Sequence, residues 1–378
     1  MTTSYHQDRK IAPVVNGNLV LFEDERFSVA CDIKELLETP EHLKQPMYDA
    51  IVTEIRTLIE MGTFEWDNKP SGAKALPTRV VLKTKYHANG EFDKYKARLV
   101  VKGFLQRLGH DYNATFTPTS DVGTFRSLLS LSGRFGWRVM HADIKNAFCN
   151  AKIDIDNMFV ATPHGLEVTD PNPGPDRALR LKRALYGLKQ APRLWFNLIR
   201  DILLGSGFDQ GKSDRTLFTK RNKHGELTYV LVYVDDIIIT GANQSDQNEV
   251  EKLFRVNDIQ KLTVGEYGPL SSYLGINFKP LVGDHGHYAD AAARISDITS
   301  QLPTKLNKMT SPVTAMSDEK LASLMKKPLE EHSANVKYCL HNYRSIIGAI
   351  NYMTCTLRYD TAVALSQLSE HLADTPPL

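Results

Sequence analysis

One stretch of the chain decides the fold: Tyr229-Val230-Leu231-Val232-Tyr233-Val234-Asp235-Asp236-Ile237-Ile238-Ile239-Thr240. The apolar runs on either side are short, β-branched and aromatic, so each predicts a strand, and together they predict a hairpin with both acids at its turn. Two adjacent carboxylates repel each other, and burying them is costly unless a cation is present. The stretch therefore indicates a divalent-metal site, with an Asp-Asp pair chosen only for its turn propensity as the alternative.

A third carboxylate occupies a comparable position. Asp143 lies near the end of a predicted strand that runs from Trp137 to Ile144. If this strand and the hairpin are neighbours in one sheet, three carboxylates meet at one edge. Oxygen ligands of this kind suit Mg²⁺, and two such ions about 3.5–4 Å apart can activate a hydroxyl and stabilise a leaving pyrophosphate.

The bulk composition is that of an ordinary globular protein. The 378 residues, 42% hydrophobic and 24% charged, are enough for two or three subdomains. No run of eighteen apolar residues and no apolar signal core occur, so the sequence predicts an intracellular protein without a membrane partner. The four cysteines lack CxxC spacing and the histidines lack an HExxH cluster, which predicts reduced thiols and argues against zinc.

Basic residues are concentrated in two segments, although the net charge is only +2. Eight Lys or Arg lie between Arg79 and Arg107 against two acids, and six lie between Arg177 and Arg193 without any acid. Such segments beside acidic metal-site candidates favour a polyanionic partner, while ordinary solvated surface charge is the alternative.

Periodicity predicts the elements around these motifs. Strands and helices are mixed without regular βαβ alternation, which predicts an α+β fold with an antiparallel sheet. The predicted elements are a helix over Met47 to Ile59 stopped by Gly62, a hairpin of Arg79 to Tyr86 with Tyr95 to Val101 turning at His87-Ala88-Asn89-Gly90, a helix over Thr124 to Phe135, a helix from Pro192 to Gly205, and mostly helix after Pro280, clearest at Tyr343 to His371.

Five motifs, in this order along the chain, resemble those of the reverse transcriptases of copia-type LTR retrotransposons. They are Tyr95-Lys96-Ala97-Arg98-Leu99-Val100-Val101-Lys102-Gly103, Asp143-Ile144-Lys145-Asn146-Ala147-Phe148, Ala184-Leu185-Tyr186-Gly187-Leu188-Lys189-Gln190-Ala191-Pro192-Arg193-Leu194-Trp195, Tyr233-Val234-Asp235-Asp236 and Tyr273-Leu274-Gly275-Ile276. The resemblance covers about Gln45 to Pro280, with a weaker match at Tyr343 to Leu365. The chain departs from the family pattern at Arg358-Tyr359-Asp360-Thr361, where Arg-Pro-Asp-Ile is usual, and at Thr119-Ser120-Asp121.

The resemblance implies a right-hand polymerase with an antiparallel palm sheet that carries the catalytic hairpin. The implied function is reverse transcription, the template-directed transfer of nucleotides from dNTPs to a primer 3′-hydroxyl by a two-metal-ion mechanism. The expected division is a lead-in at 1–42, fingers at 43–118 and 151–193, palm at 119–150 and 194–280, and a mostly helical thumb or connection at 281–378.

The resemblance also implies the metal ligands. Asp143 would be the first ligand and Asp235 the second, while Asp236 would complete the acidic cluster. The implied cofactor is a pair of Mg²⁺ ions, for which Mn²⁺ is a substitute.

Other implied roles concern the incoming nucleotide. Arg98, with Lys83 or Lys85, would contact the triphosphate, and Gln190 would pack at the nucleotide pocket. The Phe148 ring would stand where a ribose 2′-hydroxyl would go and so favour deoxynucleotides, with a core phenylalanine as the alternative.

The last implied roles concern the primer and its template. Tyr273, Leu274 and Gly275 belong to the expected hairpin that holds the primer end. Tyr186 and Trp195 are interpreted as packing residues, with template stacking as the alternative.

The implied partners are an RNA or DNA template with its primer, and dNTPs. Polyproteins of this family place an integrase before this region and a ribonuclease H after it. We find no HHCC zinc pattern before Gln45 and no room for a nuclease after the thumb-side match, so we expect a processed or truncated polymerase segment, or one product of a rearranged element. Whether the chain forms a dimer stays open. The location also stays open between the cytoplasm, in a virus-like particle, and the nucleus.

Two alternative functions stay open. The first is a domesticated or inactive retroelement fragment that only binds nucleic acid, and the second is a polymerase with another template preference. The presence of all three acids argues against decay, and the Tyr-x-Asp-Asp turn with Phe148 favours DNA synthesis from RNA.

Overall fold

The computed structural model describes residues 14–15, 18–19, 29–31, 41–86, 92–161, 174–255, 262, 264–274, 276–280, 286–290, 292, 295–296, 343–370 and 372. Strands and helices are mixed in these residues, so the prediction of an α+β fold is confirmed.

The strands are β1 (Val14–Val15), β2 (Asn18–Leu19), β3 (Val29–Cys31), β4 (Phe64–Asn68), β5 (Thr78–Tyr86), β6 (Phe92–Val101), β7 (Val139–Ile144), β8 (Phe159–Val160), β9 (Arg177–Leu181), β10 (Asp209–Gln210), β11 (Leu217–Arg221), β12 (Leu227–Tyr233), β13 (Asp236–Gly241), β14 (Val264–Pro269), β15 (Ser272–Tyr273), β16 (Ile276–Pro280) and β17 (His287–Asp290). The helices are α1 (Glu41–Glu60), α2 (Val122–Phe135), α3 (Ala147–Asn150), α4 (Ala191–Gly205), α5 (Gln244–Arg255), α6 (Tyr343–Thr356) and α7 (Ala362–Ser369).

The chain divides into two compact units. The first comprises Met1–Ser120 and Ala142–Tyr267, and the second comprises Asp121–His141 and Gly268–Leu378. Within the described residues, no helix combines the length and the apolar character that crossing a membrane requires.

The central sheet has the strand order β10-β11-β12-β13-β7-β14. Strands β12 and β13 form the predicted hairpin, with Tyr233 opposite Asp236, so that Val234 and Asp235 are the two residues of the turn. Strand β7 lies directly beside β13, and the amide N–H of Ile144 donates to the carbonyl of Asp235 at 2.9 Å. The two strands are therefore neighbours in one sheet, which is the condition on which the three-carboxylate prediction depends.

A second hairpin and a helix pack together in the first unit. Strands β5 and β6 form the predicted antiparallel hairpin, in which Lys83 lies opposite Lys96. The predicted turn at 87–90 lies outside the described residues. Helix α1 buries an apolar stripe in one core with this hairpin, because Ile51, Ile55 and Leu58 recur at helical spacing. Gly62, at φ +64°, follows the helix end.

The second unit contains helix α2 and the sheet β15-β16-β17. Asp121 caps the N-terminus of α2 by accepting from the amide of Gly123 at 2.6 Å and from that of Thr124 at 3.3 Å. This cap gives a local reason for the acid in a segment where the sequence departs from the family pattern.

One strand of the second unit was not predicted from the sequence. The segment after Pro280 contains strand β17, which pairs with β16 in antiparallel fashion, in a region expected to be mostly helical. The four residues His287–Asp290 are too few and too polar to predict a strand, which forms through pairing with its neighbour. Helices α6 and α7 agree with the expected helical stretch from Tyr343 onward.

Candidate active site

A cavity of about 590 Å³ opens in the first unit where the hairpin tip meets strands β6 and β7. Asp143 and Asp235 both line it, so the structure brings these two predicted ligands to one place although they are far apart in sequence. Helix α1 and Tyr186 complete the wall.

The turn that carries Asp235 has an unusual backbone. Val234 has φ +54°, at the first of the two central turn residues, where a type II′ hairpin turn normally places glycine. A β-branched residue at positive φ is strained. The indole N–H of Trp195, which is buried in helix α4, donates to the Val234 carbonyl at 2.5 Å and so supports this conformation.

The pKa of one of the three carboxylates, Asp235, is shifted. Burial raises the pKa of Asp235, and the neighbouring carboxylates Asp236 and Asp143 raise it further, whereas Arg98 acts in the opposite direction. Asp236 is half-buried and does not line the cavity itself. No group of three or more His, Cys, Asp or Glu in the described part of the chain is gathered closely enough to hold a metal ion.

These observations fit a magnesium site that the protein builds only in part. Mg²⁺ in polymerase-type sites is usually held by one or two carboxylates together with waters and substrate phosphates. Asp143 and Asp235 supply two such hard oxygen donors in the lining of one cavity. The raised pKa of Asp235 means that its ionised form is disfavoured, and a bound cation would offset this effect.

Strand β6 provides a basic wall. Lys94, Lys96 and Arg98 alternate along the strand, so they share one face, and all three line the cavity. Lys83 and Lys85 of β5 lie opposite Lys96 and Lys94, which puts them on the same face of the hairpin, but they do not line the cavity.

Lys96 and Arg98 each have an unusual environment. Burial lowers the pKa of Lys96, and the like charges of Arg98 and Lys85 lower it further. The Nε atom of Arg98 is buried and has no hydrogen-bond partner among the described residues. A buried donor left without a partner is costly, and the described residues supply no acceptor for this N–H.

Glu54 lines the cavity as well, and the sequence did not indicate it. Its carboxylate on helix α1 accepts from the amide of Leu99 at 3.4 Å, and burial raises its pKa while Arg98 and Lys96 oppose the rise. A single acid on the polar face of an amphipathic helix carries no signal in sequence. Lys96 was detectable, because it alternates with Arg98 on a predicted strand.

Phe148 lies near the cavity rather than in its wall. It is half-buried on the short helix α3, and its ring meets that of Tyr186 edge-on, with 5.2 Å between the centroids. It lines a smaller pocket, which it shares with Trp195 and Val234. The amide of Asn150 donates to three carbonyls of residues 145–147 and so fixes the turn that carries the ring.

Gln190 is not brought into the cavity. Its side chain is fully buried, its Nε2 donates to the carbonyl of Asp111 at 2.8 Å, and its Oε1 accepts from Gln106 at 3.0 Å. This amide supports the loop around Asp111, so any effect of Gln190 on a nucleotide would be indirect.

The expected primer hairpin lies in the second unit. Tyr273 is buried and its ring lies 4.3 Å from that of Phe125, centroid to centroid. Leu274 has φ +50°, and the hydroxyl of Tyr352 in helix α6 donates to its carbonyl. Gly275 lies outside the described residues.

Comparison with known proteins places these features in a family. A family model described as reverse transcriptase (RNA-dependent DNA polymerase) matches residues 61–312. The chain is 32% identical over 324 residues to the retrovirus-related Pol polyprotein from transposon RE2 of Arabidopsis thaliana, covering 83% of this chain and 20% of the relative. It is 29% identical over 355 residues to that from transposon TNT 1-94 of Nicotiana tabacum, covering 93% of this chain and 26% of the relative.

The chain thus spans about a fifth to a quarter of the length of these two relatives. Among solved structures, it is similar to a foamy viral protease-reverse transcriptase in complex with RNA/DNA hybrid, with a TM-score of 0.38, 13% identity, and coverage of 89% of this chain and 38% of that one. Because the family model covers residues 61–312, the chain belongs to the reverse transcriptase (RNA-dependent DNA polymerase) family, with copia-type Pol polyproteins as its relatives.

Proposed function

We propose that this chain is the polymerase segment of a copia-type Pol polyprotein and works as an RNA-directed DNA polymerase. It would transfer nucleotides from dNTPs to the 3′-hydroxyl of a primer paired with an RNA or DNA template. One juxtaposition carries the proposal: Asp143 and Asp235 line the same cavity as Arg98, whose buried Nε lacks a hydrogen-bond partner among the described residues.

The carboxylates would hold the cofactor. Asp143 and Asp235 are the proposed ligands of two Mg²⁺ ions, with Mn²⁺ as a substitute, and Asp236 adds negative charge next to them. When bound, these ions would activate the primer hydroxyl and stabilise the leaving pyrophosphate. The protein's own part is to keep the carboxylates in place, which the Ile144–Asp235 hydrogen bond and the Trp195–Val234 hydrogen bond support.

The basic wall would hold the triphosphate. Arg98 donates through a planar fork that matches phosphate oxygens, and Lys96 adds charge beside it. Lys83 and Lys85 raise the positive potential of the same hairpin face and so favour entry of an anion. Phosphoryl transfer requires mainly positioning and charge compensation, which is what such a wall supplies.

The sugar would be selected at Phe148. Its ring contacts Tyr186, which lines the cavity, so a sugar bound between the acids and the basic wall would lie close to this pair. Gln190 would act on the nucleotide pocket only through the loop at Asp111, to which it is bonded.

The right-hand architecture is part of the proposal. Residues 43–118 and 151–193 would be fingers, 119–150 and 194–280 palm, and 281–378 thumb or connection. Tyr273, Leu274 and Gly275 would hold the primer end. Integrase and ribonuclease H segments of a parent polyprotein, and a second copy of the chain, are proposed partners, and the proposed location is intracellular, in a cytoplasmic virus-like particle or the nucleus.

Primer extension tests the proposal. The chain is incubated with a DNA primer on an RNA template, dNTPs and Mg²⁺, alongside Asp143→Asn, Asp235→Asn and the surface control Asp201→Asn, which replaces an exposed acid of helix α4. We expect extension by the wild type and by Asp201→Asn, and none above background by the other two. Fluorescence anisotropy should show unchanged template-primer binding for all four proteins.

A different result would select an alternative. If the wild-type chain binds the duplex but never lengthens the primer with either Mg²⁺ or Mn²⁺, the protein only binds nucleic acid. Extension on DNA templates alone would indicate a different template preference.

A further inference from the structure

Tyr186 contacts two residues to which separate roles in nucleotide selection are proposed. The guanidinium carbon of Arg98 lies over its ring, 5.3 Å from the centroid. The ring of Phe148 meets the same tyrosine edge-on at 5.2 Å, with 63° between the two planes. Tyr186 also lines the cavity that Asp143 and Asp235 line. One aromatic ring therefore contacts both the proposed triphosphate contact and the proposed sugar gate.

The backbone fixes the position of this ring. The amide N–H of Val101 donates to the carbonyl of Tyr186 at 2.8 Å, which ties the segment to the strand that carries Arg98. Gly187 follows at φ +88°, and a Cβ atom on it would lie 2.1 Å from the Val101 carbonyl oxygen. Only glycine permits this close approach, so the ring is held against β6 by a connection with little freedom to adjust.

The Arg98 side chain depends on the ring because, within the described part of the chain, few other contacts hold it. Its buried Nε makes no hydrogen bond within the described residues, and Arg98 attracts Glu54 and Asp235 through space. A cation over an aromatic face is attracted to it, and the attraction grows when water is excluded. Removing the ring would free the guanidinium to move away from the triphosphate position.

The hydroxyl of Tyr186 is not needed for either contact. Both Arg98 and Phe148 meet the ring, and no hydrogen bond from the hydroxyl to a described residue is found. A phenylalanine at this position would keep both contacts, while an aliphatic residue of similar bulk would lose them.

We infer that Tyr186 is the positioning residue that couples recognition of the sugar to recognition of the triphosphate, by holding Phe148 and Arg98 against one ring. This inference deepens the proposed function and rests on it. It names Tyr186 as a determinant of deoxynucleotide selectivity, where the sequence indicated only packing or template stacking.

Steady-state single-nucleotide incorporation on a template-primer tests the inference with Tyr186→Phe, Tyr186→Leu and the control Phe208→Leu. Phe208 is a suitable control because it is a buried aromatic residue of the same unit with a cation, Lys220 Nζ, 5.6 Å from its ring centroid, away from the cavity. For Tyr186→Leu we expect the KM for dNTP to rise about tenfold with kcat changed less than about twofold, and the preference for dNTP over rNTP to fall about tenfold. Tyr186→Phe should restore both values to those of the wild type.

A purely structural role predicts something else. In that case Tyr186→Leu and Phe208→Leu would both lower the melting temperature and kcat, and neither would change the ratio of dNTP to rNTP incorporation; this result would overturn the inference. If Tyr186→Leu does not fold, Tyr186→Met takes its place, because methionine fills irregular space without an aromatic face. Combining the Tyr186 variant with Arg98→Ala should give a KM increase smaller than the product of the two single effects, and fully multiplicative effects would also refute the coupling.

The inference and the proposed function fail in different ways. An inactive wild-type chain would reject the proposed function, and the inference with it. An active wild-type chain whose Tyr186→Leu or Tyr186→Met variant keeps its KM and its sugar preference would reject the inference alone.

Discussion

The indole N–H of Trp195 donates a hydrogen bond to the main-chain carbonyl of Val234 at 2.5 Å. Val234 is the strained first residue of the turn that presents Asp235, with φ +54°. Helix α4 therefore contacts the tip of the β12–β13 hairpin through the side chain of a tryptophan that is only 1% exposed. A buried indole normally finds a partner for its N–H, and here that partner is the residue whose conformation most needs support.

Trp195→Phe should remove this support while it keeps an aromatic ring. Loss of one part-buried hydrogen bond is worth about 0.5–1.5 kcal/mol, so we expect a lower free energy of unfolding. We also expect kcat to fall about tenfold with little change in the KM for dNTP, since Asp235 loses its fixed position and the basic wall is untouched. Urea denaturation and steady-state kinetics measure the two effects.

The control for this prediction is Trp66→Phe. Trp66 packs against the core of the same unit from strand β4, away from the hairpin tip. A kcat that falls equally in both variants would mean that Trp195 acts only through packing.

Tyr352→Phe should affect the primer end. The hydroxyl of Tyr352 donates to the carbonyl of Leu274, which has φ +50° in the turn between β15 and β16. Without this bond the turn can relax. We therefore expect a change in the ratio of mismatched to matched extension, which compares primers with a mismatched and a matched 3′ end, and no change in dNTP binding. The same loss should lower the free energy of unfolding by about 1 kcal/mol.

Helix α6 offers a matched control. Tyr343 donates through its hydroxyl to the carbonyl of Leu368 at 2.7 Å, so Tyr343→Phe removes a bond of the same kind from the same helix without reaching the hairpin. The prediction fails if the two variants change the ratio of mismatched to matched extension equally.

Phe148→Val should weaken the choice of sugar. The smaller side chain opens the space beside Tyr186, so we expect ribonucleotide incorporation relative to deoxynucleotide incorporation to rise about tenfold or more. The measurement is the ratio of kcat/KM for dNTP and rNTP. Phe135→Val, at an exposed ring on the last residue of α2, serves as the control and should leave this ratio unchanged. Equal ratios in wild type and Phe148→Val would refute the gate and return Phe148 to an ordinary core role.

Local patterns allowed most of the framework of the first unit to be predicted. The hairpin β12–β13 and the hairpin β5–β6 have alternating or continuously apolar strands with clear turns, so sequence alone gives their type and approximate bounds. Pro192 and a set of apolar residues that recur at helical spacing predict helix α4. These signals are period-2 and period-3.6 patterns, and each can be recognised within ten or fifteen residues of chain.

The features that no local pattern predicts are contacts between distant segments. Trp195 finds its partner 39 residues further along the chain, and Gln190 forms its hydrogen bonds with residues some eighty positions earlier. Nothing in the sequence near Gln190 indicates that its amide is occupied by Gln106 rather than turned toward a nucleotide. Glu54 is similar, because only the packing of α1 against β6 brings its carboxylate to the cavity.

The thiols offer a prediction that does not depend on any activity. Cys149 is buried, and burial raises the pKa of its thiol to about 12, whereas Cys355 is exposed. The thiolate is the reactive form, so at pH 8 only about one Cys149 thiol in ten thousand is ionised, and that one is covered by the protein. We expect iodoacetamide to modify Cys355 in the native protein while Cys149 stays unmodified, and both to react after denaturation in guanidinium. Peptide mass spectrometry resolves the two sites within one sample, so Cys355 serves as the internal control. Rapid native labelling of Cys149 at a rate equal to that of Cys355 would contradict the buried position of helix α3, and with it the support under Phe148.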